Sequence, residues 1–389
     1  MNSQFATKAV HAGEEPCPAT GALDPPIYQS TTFVSSSAAE MAAVYGGKKP
    51  GYMYTRYGNP TIRALEIKMA ALEGGEDALA AASGMAAISS AILAFVKAGD
   101  HVVAGRSLYG AAYDFIGRIL PRFGVQSAFT QGGRVEDFEK CIRPNTRLIY
   151  FETPSNPVLE IVDIRALSQM AQAHGVPLMA DNTFASPALQ QPIALGVTVV
   201  VHSATKYLCG HGDAMGGVVV GPRKYIRSLN KEIARDFGGV ISPFNAWLIL
   251  RGIHTLHLRV PAQCASATRI AAFLKSHPRV EHVNYPGLAG HPGHSLAKKQ
   301  MAAFGAMISF ETKGGYNAGK KVMDRVRLFS RAASLGDTRS LIVHSASTSH
   351  QAVPRDERLA LGITDGLVRL SIGVEAADDL IEDLDRALG

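Results

Sequence analysis

Five apolar runs in the chain each end in residues that could do chemistry. EDALAAA leads into Ser83, Gly84 and Met85, and HVVAG into Leu108, Tyr109 and Gly110. RLIYFE leads into Thr153, Pro154, Ser155, Asn156 and Pro157, PLMA into Asp181, Asn182 and Thr183, and VTVVV into Ser203, Thr205 and Lys206. A lysine can condense with an aldehyde as a Schiff base and afterwards carry protons. A carboxylate such as Asp181 can keep a pyridine nitrogen protonated, which lets the ring accept electrons. The ring of Tyr109 can stack on a flat cofactor. The helix-start amides of Gly84 and Met85, with the hydroxyls of Thr183, Ser203 and Thr205, suit a phosphate. Together these are the needs of pyridoxal 5′-phosphate (PLP).

Each residue taken singly has a duller reading. Lys206 could be a solvated loop charge, Asp181 a cap for the next turn, Gly84 a packing glycine and Tyr109 a half-buried strand end. Their joint occurrence is what points to a cofactor. His202, His211 and Asp213 also lie close together, but the two histidines are nine residues apart with a turn between them. That is not a helical i, i+4 pair, and no metal site is expected.

Strands alternating with helical stretches must bring the five ends to one rim. Apolar runs separated by segments such as YDFIGRILPRFG, IRALSQMAQAHG and PALQQPIALG argue for an α/β fold, with a mostly parallel sheet covered on both faces. In such sheets ligands sit at the carboxyl ends of the strands. PTIRALEIKMAALEG has helical spacing and stops at glycine, and GGVVVGP adds a strand. Residues 61–250 form the expected large, PLP-binding domain. Residues 251–389 form a smaller α+β domain, opening with a helix pair or one helix broken near Pro261. Residues 1–60, rich in Pro, Gly, Ser and Thr, read as an irregular arm, with DPPIYQSTTF and KKPGYMYTRYGNPT extended.

The chain has 389 residues, 47% of them hydrophobic and 19% charged, which fits a folded protein with a large buried core. The formal net charge is +6, yet no run of four basic residues occurs, so nucleic acid is not an expected partner. Four cysteines (17, 141, 209 and 264) have neither zinc nor disulfide spacing. Reduced thiols and an opening MNSQFATKAVHAGEE without an apolar core point to a cytoplasmic location. Residues 78–96 carry no charge, but Ser83, Gly84, Ser89 and Ser90 interrupt them. They read as strand, turn and buried helix, not as a membrane span.

SATKYLCGHGD, MADNT, ASGMAAI, YTRYGNPT and LVRLSIGVE together resemble the Cys/Met-metabolism family of PLP enzymes, and the likeness runs from AVHAG to the end. The resemblance implies the fold type I of PLP-dependent transferases, with a seven-stranded sheet. It implies a homotetramer built from tight dimers, each active site shared by two subunits. Tyr54 and Arg56 would come from the neighbouring chain and grip the phosphate; in an extended YTR they point to one side. Arg369 would hold the substrate α-carboxylate beside Asn156 and Ser334. Lys206 would remove the α-proton and then a β-proton, and Tyr109 would protonate the departing group.

SLGD, GHGD, YPGL and ITDGLVRLSIG look most like the methionine γ-lyases, which implies α,γ-elimination to a 2-oxo acid, ammonia and a thiol. Ala333 stands where cystathionine enzymes carry glutamate, Ala111 where methionine γ-lyases carry cysteine, and Arg235 where lysine is usual. An O-acetyl- or O-succinylhomoserine sulfhydrylase, a cystathionine γ-synthase or γ-lyase, and a non-catalytic protein on the same fold remain the alternatives. Cys209 has no assigned role.

Overall fold

The computed structural model describes residues 3–349, 351 and 354–389. Seven strands, β1 (Asp77–Ala81), β2 (His101–Ala104), β3 (Gln126–Phe129), β4 (Thr146–Glu152), β5 (Leu178–Asp181), β6 (Val199–Ser203) and β7 (Gly217–Gly221), form one sheet in the order β1-β7-β6-β5-β4-β2-β3. The pairings β2–β3, β2–β4, β4–β5 and β5–β6 are parallel, and β7 runs antiparallel to both its neighbours. This is the mostly parallel seven-stranded sheet expected from the sequence. The inner strands lack polar alternation because both faces are covered. Tyr150, Met179 and Val201 pack with Ile88 and Ile92 of the helix Gly84–Leu93 on one face. Phe151, Ala180 and Val200 pack with Leu167 and Met170 of the helix Ile164–Ala173 on the other. β3 was not legible as a strand: it is an edge strand, exposed to half-buried along its length, and QSAF carries no period.

β8 (Val280–Asn284), β9 (Met307–Thr312), β10 (Leu341–His344) and β11 (Leu367–Ser371) form a second, antiparallel sheet in the order β10-β11-β9-β8. Apolar contact is continuous between the two sheets. It runs from Leu65 and Met69 of the helix Pro60–Glu73, through Ile249 and Ile270, to Phe310 and Leu370. The long segment after residue 243 is a helix pair, Pro243–His254 and Leu256–Ser276, with the change of direction at Thr255 and not at Pro261. Pro261 lies near the start of the second helix, where it removes only one N–H from the ladder.

The uncharged stretch 78–96 divides into β1 and the helix Gly84–Leu93, because Ser83 caps the helix by accepting from the amide of Ala86 at 3.1 Å. Among the described residues no helix is long and apolar enough to cross a membrane. In the N-terminal arm DPPIYQSTTF and KKPGYMYTRYGNPT are irregular, but two helices that the sequence did not disclose, Phe5–His11 and Ala38–Tyr45, interrupt it. The first docks on its own chain. The fully buried ammonium of Lys68 donates to the carbonyls of Ala9 (2.7 Å) and Val10 (3.1 Å) and pairs with Glu14 at 2.7 Å.

Candidate active site

Lys206 follows the end of β6 in a tight turn, its amide closing on the carbonyl of Ser203 at 3.2 Å. Two features hold this turn. Gly210, at φ 74°, is a position where a Cβ would strike the Arg259 guanidinium at 2.1 Å. Arg259 in turn donates to the carbonyls of Tyr207 (3.0 Å) and Gly252 (2.7 Å) and to Thr255 Oγ1 (3.0 Å). Arg259 is buried and, among the described residues, has no carboxylate within ion-pair distance; two main-chain carbonyls, the Thr255 hydroxyl and the more distant charge of Asp337 stabilise its charge. Cys209 donates to Asp213 Oδ1 at 3.0 Å, and His211 Nδ1 donates to the Cys209 carbonyl at 2.8 Å. The three residues thus hold the loop, while His202 lies on the sheet, buried against Glu73 at 2.6 Å.

The lysine side chain points toward the second sheet. Lys206 Nζ donates to Ser334 Oγ at 2.9 Å. The carbonyl of Ser334 accepts from Arg369 Nη2 at 3.1 Å, and Arg369 Nη1 donates to Asn156 Oδ1 at 2.8 Å. Lys206, Ser334, Arg369 and Asn156 are therefore one hydrogen-bonded chain, built from the ends of β4 and β6, a loop and the inner strand β11. The Ser309 hydroxyl on β9 donates to the Pro157 carbonyl at 2.5 Å and fixes the Asn156 loop against the second sheet. Arg369 is buried, and among the described residues no carboxylate lies within ion-pair distance of it. Burial pushes its guanidinium down to about 10. Burial, and then the charge of Arg369, lowers the Lys206 amine below the ordinary lysine value.

Asp181 ends β5 with its carboxylate buried. One oxygen accepts from the amide of Thr183 at 2.9 Å and holds the turn that follows the strand. Burial raises its pKa, against the Thr183 hydrogen bonds and the charge of His202. The Thr183 hydroxyl accepts from the Ser203 amide at 2.8 Å and ties the ends of β5 and β6 together. Tyr109 precedes the helix Gly110–Asp114, half of its surface exposed, and its amide donates to Glu152 Oε1 at 2.8 Å.

The helix Gly84–Leu93 starts against β6 with almost no clearance. A Cβ on Gly84 would lie 2.7 Å from Ser203 Cβ, and one on Gly217 would lie 2.1 Å from the Ser83 carbonyl oxygen. The cap on Ala86 leaves the amides of Gly84 and Met85 at the helix start, where an anion is favoured by the helix dipole. This glycine-lined cradle, the buried carboxylate of Asp181 with no lysine or arginine in ion-pair distance among the described residues, and the depressed lysine fit PLP. Thr205 is the one poor fit. Its hydroxyl is committed to Gly216, donating to the carbonyl at 3.2 Å and accepting from the amide at 3.1 Å.

The sequence model of the Cys/Met metabolism PLP-dependent enzymes matches residues 6–389. The chain belongs to that family. It is 49% identical over 390 residues to the L-methionine gamma-lyase of Porphyromonas gingivalis, covering 100% of this chain and 98% of that one. It is 43% identical over 384 residues to the O-succinylhomoserine sulfhydrylase of Pseudomonas aeruginosa, covering 99% and 95%. The crystal structure of metB from Corynebacterium glutamicum superposes with a TM-score of 0.93 at 42% identity, covering 99% and 98%. A PLP-dependent enzyme of the α/β class is thereby established.

Two residues expected at the cofactor of this family stand apart from the rim of the same chain. Among the described residues, Tyr54 and Arg56 make none of their hydrogen bonds, ion pairs or ring contacts with it. Arg56 donates to the Arg235 carbonyl at 2.7 Å, lies 3.9 Å from Asp236, and sits over the rings of Tyr54 (5.5 Å) and Tyr57 (4.8 Å). The expectation of an extended YTR is corrected: the amide of Tyr57 closes on the Tyr54 carbonyl at 2.8 Å, making a turn. Arg235 also rests on Tyr57, 5.2 Å from its centroid. Glu152 and Arg259 are site neighbours that the sequence reading missed. Glu152 ends RLIYFE, one residue before the segment picked out, and an acid on an apolar strand was the available signal. Arg259 offered none, being one basic residue among several on a helix.

Proposed function

We propose that this enzyme catalyses α,γ-elimination on L-methionine or a closely related homoserine or homocysteine derivative, with water giving 2-oxobutyrate, ammonia and the released γ-substituent, which is a thiol for methionine. The observation that carries this reading is Arg369: a buried guanidinium without a carboxylate partner, joined through Ser334 to Lys206. An amino acid whose α-carboxylate meets Arg369 presents its α-carbon to the lysine. Bound PLP supplies an aldehyde and an electron-accepting ring. Lys206 would hold the cofactor through that aldehyde and move protons at the substrate Cα and Cβ; its lowered pKa favours the neutral amine relative to an ordinary lysine. Asp181 would hold the ring nitrogen, Gly84, Met85 and Ser203 would hold the phosphate, and Tyr109 would give a proton to the departing sulfur. Thr183 acts by fixing Asp181 and β6 relative to each other, and Thr205 by holding the loop.

The reading includes a large domain over 61–250, a small one over 251–389, and a cytoplasmic homotetramer in which the 1–60 arm carries Tyr54 and Arg56 to the neighbouring subunit's phosphate. The exposed tyrosines 28, 45 and 52 of that arm support it. A second reading, γ-replacement by sulfide on an acylated homoserine, is favoured by Ala111. It lies on the first turn after Tyr109, where a methyl group replaces the thiol expected of a methionine γ-lyase. L-methionine alone, and then O-acetyl- and O-succinylhomoserine with sulfide, separate the two. Abundant 2-oxobutyrate from methionine supports elimination, whereas homocysteine from the acylated substrates with negligible methionine cleavage establishes replacement. Borohydride reduction followed by peptide mapping tests the lysine: a cofactor label anywhere but Lys206 removes the central assignment.

A further inference from the structure

Glu152 and Asp181 are Cα partners in the parallel pairing of β4 with β5, so two buried carboxyl groups stand side by side at the rim. Tyr150, also on β4, points its hydroxyl at both, 3.4 Å from Glu152 Oε1 and 3.4 Å from Asp181 Oδ2. A phenol has one proton and can serve only one of them. Among the described residues no lysine or arginine lies within ion-pair distance of either acid. The groups facing the pair are Tyr150, the amide of Tyr109 on Glu152, and Thr183 and His202 on Asp181. Two like charges that close, with no lysine or arginine beside them, are not both kept ionised. The donors divide unequally: Asp181 has the Thr183 amide and the nearby imidazole, whereas Glu152 has one amide.

We propose that Glu152 is held as a neutral carboxylic acid that positions Tyr109 through its amide and leaves Asp181 as the charged carboxylate of the site. Burial and the adjacent Asp181 hold the Glu152 carboxyl well above the usual carboxylate range, in keeping with this. The proposal rests on the assignment of Asp181 to the cofactor nitrogen. Glu152 is a positioning residue, because it reaches the chemistry through the Tyr109 main chain.

Infrared spectroscopy of the holoenzyme tests it. Protein labelled with ¹³C-glutamate should show a protonated glutamate carbonyl band at pH 9, above Glu66, whose carboxyl burial pushes up to about 7. The band should shift on removal of PLP and be absent from Glu152→Gln. Because the wild type carries the band, a variant that fails to fold does not remove the test. The kinetic arm compares two replacements: Glu152→Gln, which keeps an acceptor for the Tyr109 amide, should retain a kcat ~10-fold or more above that of Glu152→Leu. No PLP-sensitive glutamate band in the wild type, or equal loss of kcat in the two variants, overturns the proposal. Failure of the site assignment looks different: Asp181→Asn would then bind PLP as tightly as wild type.

Discussion

Replacing Arg369 with methionine separates a functional charge from a structural one. Burial lowers the guanidinium from 12.5 to about 10, so holding it charged costs about 3 kcal/mol. Methionine removes that cost. It also removes hydrogen bonds to Asn156 Oδ1 and the Ser334 carbonyl, about 1 kcal/mol each, and leaves the buried Asn156 oxygen short of a donor for about 1 kcal/mol more. The terms nearly cancel, and the thermal midpoint of the PLP-loaded protein should move by only a few degrees. Substrate capture has no such cancellation. Losing the buried partner of a carboxylate costs about 3–5 kcal/mol, or roughly 10²- to 10⁴-fold in kcat/KM. The assay pairs 2-oxobutyrate release from L-methionine with binding of two unreactive ligands, norleucine and pentylamine, which differ by the carboxylate. Wild type should prefer norleucine strongly and Arg369→Met should not. A variant that loses several kcal/mol of stability yet keeps the preference would show that Arg369 is a structural cation and that the carboxylate binds elsewhere.

Gly84→Ala puts a Cβ 2.7 Å from Ser203 Cβ, inside ordinary contact, and the helix start must move away from β6. Overpacking of about 1–3 kcal/mol should weaken PLP binding ~10-fold or more in a spectral titration, and unchanged affinity would place the phosphate elsewhere. The pH dependence of PLP capture by the apoenzyme should have its midpoint below the ordinary lysine value. Arg369→Met should raise it, because removing a neighbouring cation favours the protonated amine. Lys68→Met leaves Glu14 with only His254 as ion-pair partner among the described residues and frees the carbonyls of Ala9 and Val10. A loss of about 2–4 kcal/mol is expected in urea unfolding, partly recovered by the double variant Lys68→Met/Glu14→Gln.

How far the site is legible in the sequence follows from what places each residue. The five strand ends are local features: an apolar run stops, and the next residues lie on the rim, so Tyr109, Asn156, Asp181, Ser203 and Lys206 could be named without coordinates. Gly84 was legible as a helix-start or packing glycine, though not the atoms it approaches. Contacts that need the register between distant strands were hidden. Nothing local says that Glu152 lies opposite Asp181, since that pairing depends on how β4 slides along β5. Nor does any local pattern join Ser334 to Lys206, or Arg259 to the carbonyls of another helix. β3 and the helices of the arm escaped for the related reason that edge strands and short docked helices carry little period of their own.

The same distinction bears on specificity. On the proposed reading, the parts of the site set by strand ends and by β11 handle the cofactor and the α-amino acid portion, which elimination and replacement share. The distal part of a substrate is met by loop residues, and there the chain departs from the pattern of the methionine γ-lyases at Ala111 and Arg235. Ala111 sits two residues past Tyr109, the proposed proton donor, on the short helix Gly110–Asp114. Arg235 is tied to Tyr57 and, through its carbonyl, to Arg56, so altering it disturbs the arm together with the pocket. Ala111→Cys is therefore the cleaner probe. If residue 111 sets the preference, this change should raise the ratio of methionine cleavage to acylhomoserine replacement and leave PLP affinity unchanged. A ratio that does not move would shift the search for specificity to the loop carrying Ala333 and Ser334.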